Sequence, residues 1–438
     1  MALRGPVDIA PLIYFRVLGG LLMTVEIAGE LFNHYWVDLT RSQFHFSYPG
    51  FEWVDPWPVA GLGIHYAITI AAGLCVTVGW HYRASAIVFC VGSTWLFLMD
   101  KSLYINHHYL YCLIALILVF LPAHRAVSFD ARRDPTIASA TAPAWCRWIL
   151  LFQIAVVYGF AGVAKLDADW FAGMPMRIWL AARADYLLIG GLLGEPWLPL
   201  LISRGGLVFD LLIVPAMLWR RTRRVAFAFA VLFHLTNVSI FGIGTFPWFS
   251  LMATALFFSP AAFRRLPLLR TRLPASGSIA AGTATDLRRR MTASVLIAYV
   301  MIQLVVPLRH FLYPQPTRWT EAGHTFSWRM MLRSKRGIVV YSVRDPTTDR
   351  SWTEKPRDYL TRHQARDMVG KPEMIVEFAR FLADEYERNG IADVEVRANC
   401  TVSLNGRPFQ PYVKPGVDLA EDGRERFPYD WIVPLREE

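Results

Sequence analysis

The chain has 438 residues, of which 54% are hydrophobic, 14% aromatic and only 18% charged, and its formal net charge is +10. A soluble domain carries about 25% charged residues, so this composition argues against a wholly water-soluble enzyme, a disordered chain or a nucleic-acid binder, and for an integral membrane protein. The hydrophobic material lies before residue 312 and the rest alternates charged and apolar residues, which predicts a membrane domain over 1–312 and an exposed domain over 313–438.

A transmembrane helix needs roughly 17–25 mainly apolar residues. Such runs occur near 11–31, 59–80, 84–100, 105–122, 146–164, 198–219, 225–242, 245–259 and 292–310, which predicts an all-α polytopic domain of about nine spans, or of seven or eight since 245–259 is short and 59–80 and 84–100 are tightly joined. The first run lacks a small-residue cleavage site before the next helix and is expected to remain as an uncleaved span. Lys and Arg accumulate in cytoplasmic loops. Arg83 follows the second run, Arg125, Arg132 and Arg133 the fourth, Arg220, Arg221, Arg223 and Arg224 the sixth, and a further group from Arg264 to Arg290 the eighth, whereas the alternate loops hold few basic residues. Nine spans with a cytoplasmic N-terminus put every arginine-dense loop on one side. The exposed domain then lies on the outer face, and the basic surplus needs no nucleic acid to explain it.

The loop near 264–290, containing LPASGSIAAGTATD, is small and polar and predicts a flexible linker. Two prolines in LYPQPTRW end the ninth run. Beyond them, RGIVVYSVRDPTTDRSW predicts a hairpin with an Asp-Pro turn, PEMIVEFARFLADEYERNG an amphipathic helix ending at Gly390, and ADVEVRANCTVSLNGRPFQPYV two strands joined by an Asn-Gly turn, together a small α+β extramembrane domain. Cys75, Cys90, Cys112, Cys146 and Cys400 show no metal or disulfide spacing and are expected to be inert thiols.

An ionisable residue at bilayer depth costs about 2.5–3.5 kcal/mol even on lenient insertion scales, which makes each one a functional candidate. Arg16, Glu26 and Glu30 lie on the first span, Asn106, His107 and His108 open the fourth, Lys165 closes the fifth, Asp210 sits within the sixth, and His234 and Asn237 share a face of the seventh. Most fall toward the outward ends of their helices, so residues distant in sequence are expected to converge on one pocket. Desolvation lowers the pKa of an amine; Lys165 therefore reads either as a general base or as a snorkelling lysine paired with Asp167 or Asp169. His107 and His234 read either as interface residues or as catalysts. Asp210 reads as an arginine's partner or a protonated acid, and Arg16 as a structural partner of Glu26 or Glu30. No HExxH or i, i+4 histidine pair occurs, and adjacent helical residues such as His107 and His108 point apart, so no metal is expected.

At these residues the sequence resembles the vitamin K-dependent γ-glutamyl carboxylase family, also called HTTM proteins, as a short, prokaryotic-type member. AGVAKLDADW resembles the segment in which a lysine precedes Leu-Asp-Ala-Asp-Trp, INHHYLYCL its Asn-His motif followed by Tyr-Leu-Tyr, FHLTNVSIFGIG a later helix with His and Asn at the same spacing, and HTFSWRMMLRSKRG the Ser-Trp-x-Met-Met segment that opens the exposed domain. In that family vitamin K hydroquinone is deprotonated and attacked by O2; the resulting alkoxide removes a γ-hydrogen from a peptidyl glutamate, the carbanion adds CO2, and vitamin K epoxide is released. The resemblance implies that Lys165 is the catalytic base, with His107 and Asn106 at the same centre. It further implies that Tyr158, Trp170, His234, Asn237, Trp328, Met330 and Met331 contact the quinone, Arg333 and Lys335 the substrate, and that Asp167, Asp169 and Arg16 support the site.

Three physical points agree with such chemistry. A strong base needs a dry cavity, an isoprenoid quinone can enter sideways from lipid, and a hydroquinone hydroxyl needs only a modest base. The sequence departs from the family in having Ala164 where the animal enzymes place a second lysine, and Arg333 and Lys335 where the family has a histidine and an arginine that handle glutamate. It also stops soon after the first exposed domain, without the long C-terminal region of the animal enzymes, so recognition of a propeptide does not transfer. The implied partners are the bilayer, a quinone and a glutamate-containing protein or peptide. Two other readings stay open: a hydroquinone epoxidase that carboxylates no protein, and a non-catalytic membrane binding protein whose exposed domain recruits a partner.

Overall fold

The computed structural model describes residues 5–33, 35–186, 190–270 and 286–436; residues 273–285 of the predicted linker lie outside them. The apolar helices, in chain order, are α1 (Ala10–Phe32), α2 (Val59–Val78), α3 (Tyr82–Leu98), α4 (Asn106–Phe120), α5 (Ala144–Ala164), α6 (Leu198–Leu218), α7 (Arg223–Phe241), α8 (Phe246–Thr254) and α9 (Asp286–Leu308). Six of them, α1, α2, α5, α6, α7 and α9, are long and apolar enough to cross a membrane, and α3, α4 and α8 are shorter apolar helices on the remaining three predicted runs. Their outward faces carry large apolar side chains such as Ile64, Val91, Leu201, Phe229, Val295 and Ile302, as a lipid-facing surface requires.

Small residues set the helix contacts. A Cβ on Gly73 of α2 would lie 2.2 Å from Thr24 Oγ1 of α1 and 2.8 Å from the Phe89 ring of α3, so a side chain there would push the three helices apart. Likewise, a Cβ on Gly162 of α5 would lie 2.7 Å from Leu211 of α6, and this close approach brings the end of α5 alongside the middle of α6.

The basic loops gather at one end. Strand β1 (Pro6–Asp8) pairs antiparallel with β2 (Thr141–Pro143), Asp8 accepts from Arg264, and Asp130 accepts from the backbone N–H groups of His81 and Tyr82, both at 2.8 Å. Arg16 is fully buried at this end and donates to the carbonyls of Ala123, at 3.0 Å, and Val127. Its expected pairing with Glu26 or Glu30 does not occur. Ten residues at 1.5 Å rise put Glu26 roughly 15 Å further along the same helix.

The C-terminal region forms a four-stranded antiparallel sheet of order β4-β3-β5-β6, from β3 (Lys335–Arg344), β4 (Ser351–Glu354), β5 (Glu395–Leu404) and β6 (Gln410–Pro411). The hairpin and the helix, here α11 (Pro372–Arg388) after a short α10 (Arg362–Met368), form as expected. Helix α11 buries Met374, Ile375, Phe378 and Leu382 in one core with Tyr341, Val396 and Cys400. The strand expected after the Asn-Gly turn is reduced to two residues, because Asn405 and Arg407 turn toward the membrane domain: Asn405 Nδ2 and Arg407 Nη1 donate to Asp169 Oδ2 at 2.7 and 2.8 Å, and Arg407 Nη2 to Asp169 Oδ1 at 2.7 Å.

Other contacts complete this dock on the end opposite the basic loops. Gln364 donates to Asp100 Oδ2 at 2.7 Å, Lys101 pairs with Glu377, and Asp167 accepts from Arg318. Burial works to raise the Asp169 carboxyl, but the hydrogen bonds from Arg407 and Asn405 and the charge of Arg318 outweigh it and hold the group below the usual carboxylate range.

Candidate active site

A cavity of about 550 Å³ opens where the helices meet the C-terminal domain, and both contribute to its walls. Lys165, at the C-cap of α5, is 6% exposed and reaches into it. Its Nζ donates to Ala161 O at 3.2 Å and to Asp210 Oδ2 of α6 at 2.7 Å, and stands 5.2 Å from the centre of the Trp170 ring. Asp167 and Asp169, the expected partners, are engaged elsewhere. Asp167 caps the short helix Ala168–Phe171 and Asp169 clamps the C-terminal domain, while Trp170 is fixed by donating from Nε1 to Ser203 O at 2.7 Å.

His107 reaches the same cavity from α4 and stacks on Phe246 with ring centroids 5.4 Å apart. Its Nε2 is 3.4 Å from Glu26 Oε1, and His108 Nε2 is 3.6 Å from the same oxygen and 3.1 Å from Glu30 Oε1. The adjacent histidines thus converge rather than point apart, because both rings reach across to the face of α1 that carries the two carboxylates. Glu26, His107 and His108 offer one ligand atom each within 4.8 Å of one another and could hold a metal ion, a set that the search for i, i+4 spacing misses. Glu26 Oε2 also accepts from Thr245 N at 3.0 Å. Asn106 accepts from Tyr104 Oη at 3.1 Å, and Tyr104 in turn accepts from Phe326 N at 2.8 Å, which ties the start of α4 to the C-terminal domain.

Across the cavity, Tyr158 Oη shares a hydrogen bond of 2.8 Å with His234 Nε2 and one of 3.1 Å with Thr254 Oγ1. His234 Nδ1 is buried with no partner among the described residues. Asn237, Met330 and Met331 also line the cavity. Trp328 is fully buried and packs behind the wall, stacked on Tyr109 at 5.0 Å. Lys335 stands outside the lining as well, donating to Glu321 Oε1 and Trp319 O at 2.6 Å each and to Gly370 O at 2.8 Å.

Arg333 lines the cavity but is held by Glu321 through two contacts of 2.5 Å. Burial raises the Glu321 carboxyl, yet Arg333 and Lys335 outweigh it and hold Glu321 far below its ordinary value, while burial pushes Lys335 down to about 8. The sequence reading did not single out Glu321 or Arg329, which also line the cavity; the signal for Arg329 is a charge at the variable position of Ser-Trp-x-Met-Met.

Residues 4–261, more than half of the chain, match the HTTM domain. Residues 288–438 match the lumenal domain of vitamin K-dependent gamma-carboxylase. The chain belongs to the gamma-carboxylase/HTTM family. No solved structure matches it significantly. The two family matches meet at the linker, and the cavity of this family member lies where the HTTM domain and the lumenal domain touch.

Proposed function

We propose that this protein is a vitamin K-dependent carboxylase in which epoxidation of a hydroquinone is coupled to carboxylation of a glutamyl side chain. The observation that carries this reading is the convergence of Lys165, His107, Asn106 and His234, from three different helices, on one largely apolar cavity. The walls suit a naphthoquinol: Phe233, Phe241, Phe246, Phe249 and Trp170 supply flat apolar surfaces, and the unpartnered His234 Nδ1 supplies a hydrogen-bonding group aimed at none of its neighbours. When bound, the hydroquinone supplies reducing power and, with O2, a base strong enough to deprotonate carbon.

The residues of this chain have simpler tasks. Lys165 Nζ takes the hydroxyl proton, and ionised Asp210, 2.7 Å away, balances the ammonium so formed, so the pair passes from one net negative charge to neutral. His107 and Asn106 orient the oxygen-bearing face, with His107 held by Glu26. The buried surroundings exclude water, which would quench a strong base. The apolar helices α1 to α9 are embedded in the bilayer, with the basic-loop end in the cytoplasm and the C-terminal domain on the outer face; the separation of the two ends in the fold supports this arrangement.

A second reading, hydroquinone epoxidation without carboxylation, is favoured by one observation: Arg333 and Lys335 are both committed to Glu321. Purified protein given vitamin K hydroquinone, O2, labelled bicarbonate and glutamyl peptides separates the two. Epoxide with fixed label supports the carboxylase, epoxide alone supports the second reading, and binding without epoxide leaves a non-catalytic protein.

A further inference from the structure

One charge in the cavity wall has no use in the chemistry described above. Arg329 is 9% exposed and lines the cavity beside Met330. Among the described residues its guanidinium makes no hydrogen bond or ion pair. The carboxylates that act on it from a distance are already engaged, Asp167 by Arg318 and Glu321 by Arg333 and Lys335, while Arg318 and Arg333 repel it. Guanidinium groups do not shed their proton in proteins, so the cavity holds a buried cation without a contact partner, an arrangement that ordinarily destabilises a fold.

The backbone around this residue is also held at a cost. Phe326, Trp328 and Met331 adopt left-handed conformations with φ of 60°, 57° and 54°, which L side chains disfavour and which persist only where the surroundings enforce them. The enforcing contacts are visible. Phe326 N donates to Tyr104 Oη at 2.8 Å, Trp328 stacks on Tyr109, and Arg309 donates to Ser327 Oγ at 3.2 Å. A strained segment locked on both sides thus presents an unpaired guanidinium to the cavity.

We propose that Arg329 is the anchor for the side-chain carboxylate of an acidic organic substrate, holding that acid in the cavity that Lys165 also lines. This rests on the carboxylase reading and deepens it, because it assigns the substrate's acid group to a residue other than Arg333 and Lys335. The planar fork of a guanidinium matches the two oxygens of a carboxylate. Among the described residues, a single free cation in the cavity wall, near Phe326, Met330 and Met331, suits a singly charged acid on a short apolar stem better than a phosphate.

The test uses the full-length protein in detergent, with acetyl-glutamyl amide and acetyl-glutaminyl amide as probes and calorimetric binding and thermal unfolding as readouts. Wild type is expected to prefer the glutamyl probe. In Arg329→Gln that preference disappears through a roughly 10- to 100-fold weakening, the range for a charge-assisted hydrogen bond, and Arg329→Lys falls between. Without probe, Arg329→Gln is expected to unfold at the same or a higher temperature than wild type, whereas loss of a structural arginine lowers it.

An undiminished glutamyl preference in Arg329→Gln overturns the proposal. So does a wild type that ignores the difference between the probes, or one whose Arg329-dependent ligand is bicarbonate alone. Epoxide and fixed label formed by wild type from hydroquinone, O2, labelled bicarbonate and a glutamyl peptide report on the carboxylase reading separately. Arg329-dependent binding without fixed label sinks that reading and spares this one, and fixed label without such binding does the reverse.

Discussion

Lys165 Nζ lies 2.7 Å from Asp210 Oδ2, across the close contact that Gly162 permits between α5 and α6. A charge held alone at this depth is expensive, and the pair relieves that cost while leaving one proton to be exchanged between amine and carboxylate. Asp210→Asn removes this exchange but keeps the shape. It is expected to lower the initial rate of epoxide formation about tenfold, a fraction of the 10²–10⁴ typical of an entire acid–base group. An unchanged rate would show that Lys165 works without Asp210.

Glu26 holds His107 from the side away from the cavity, with Thr245 N fixing its other oxygen. Glu26→Gln is expected to cut turnover about tenfold, in the range of a lost orienting group on a catalytic histidine, with the KM for hydroquinone nearly constant. Steady-state kinetics distinguish this from a binding role, which raises KM and leaves kcat in place.

Asp169 joins the two domains through Arg407 and Asn405. Breaking a buried, hydrogen-bonded ion pair from one side typically costs about 3–5 kcal/mol. Asp169→Asn is therefore expected to lower the unfolding temperature of the detergent-solubilised protein by several degrees, and adding Arg407→Gln is expected to cost little more. Fully additive losses would show that the two side chains act independently.

Glu321 supplies a pH-dependent term. Its carboxyl is depressed in the folded protein from an ordinary value of 4.5, so the stabilisation it gives is complete above that value and is lost as pH falls toward its folded value. Glu321→Gln is expected to be less stable than wild type at pH 7, with the gap closing below pH 4.5. Thermal unfolding across pH 3–7 measures this, and a gap that stays constant contradicts it.

Hydropathy and arginine spacing made the apolar helices legible, because lipid imposes a length and a polarity on each span. The hairpin and the amphipathic helix of the C-terminal region were legible instead from the period of their apolar residues. Partners of charged residues were not. Lys165 was expected to pair with Asp167 or Asp169, close in sequence, but it pairs with Asp210, forty-five positions away, because helix packing and not chain proximity chooses the neighbour. Arg16 was separated from Glu26 by its own helix. The convergence of His107 and His108 on Glu26 escaped detection because adjacent helical positions diverge in general, and only a third element facing both rings reverses that.

The most direct measurement is epoxide formation by the purified protein from vitamin K hydroquinone and O2, run beside Lys165→Ala. The expected result is epoxide from wild type and none above background from the variant, with both proteins equally folded. Equal epoxide from the two would remove Lys165 from the chemistry, and none from either would contradict the enzymatic reading.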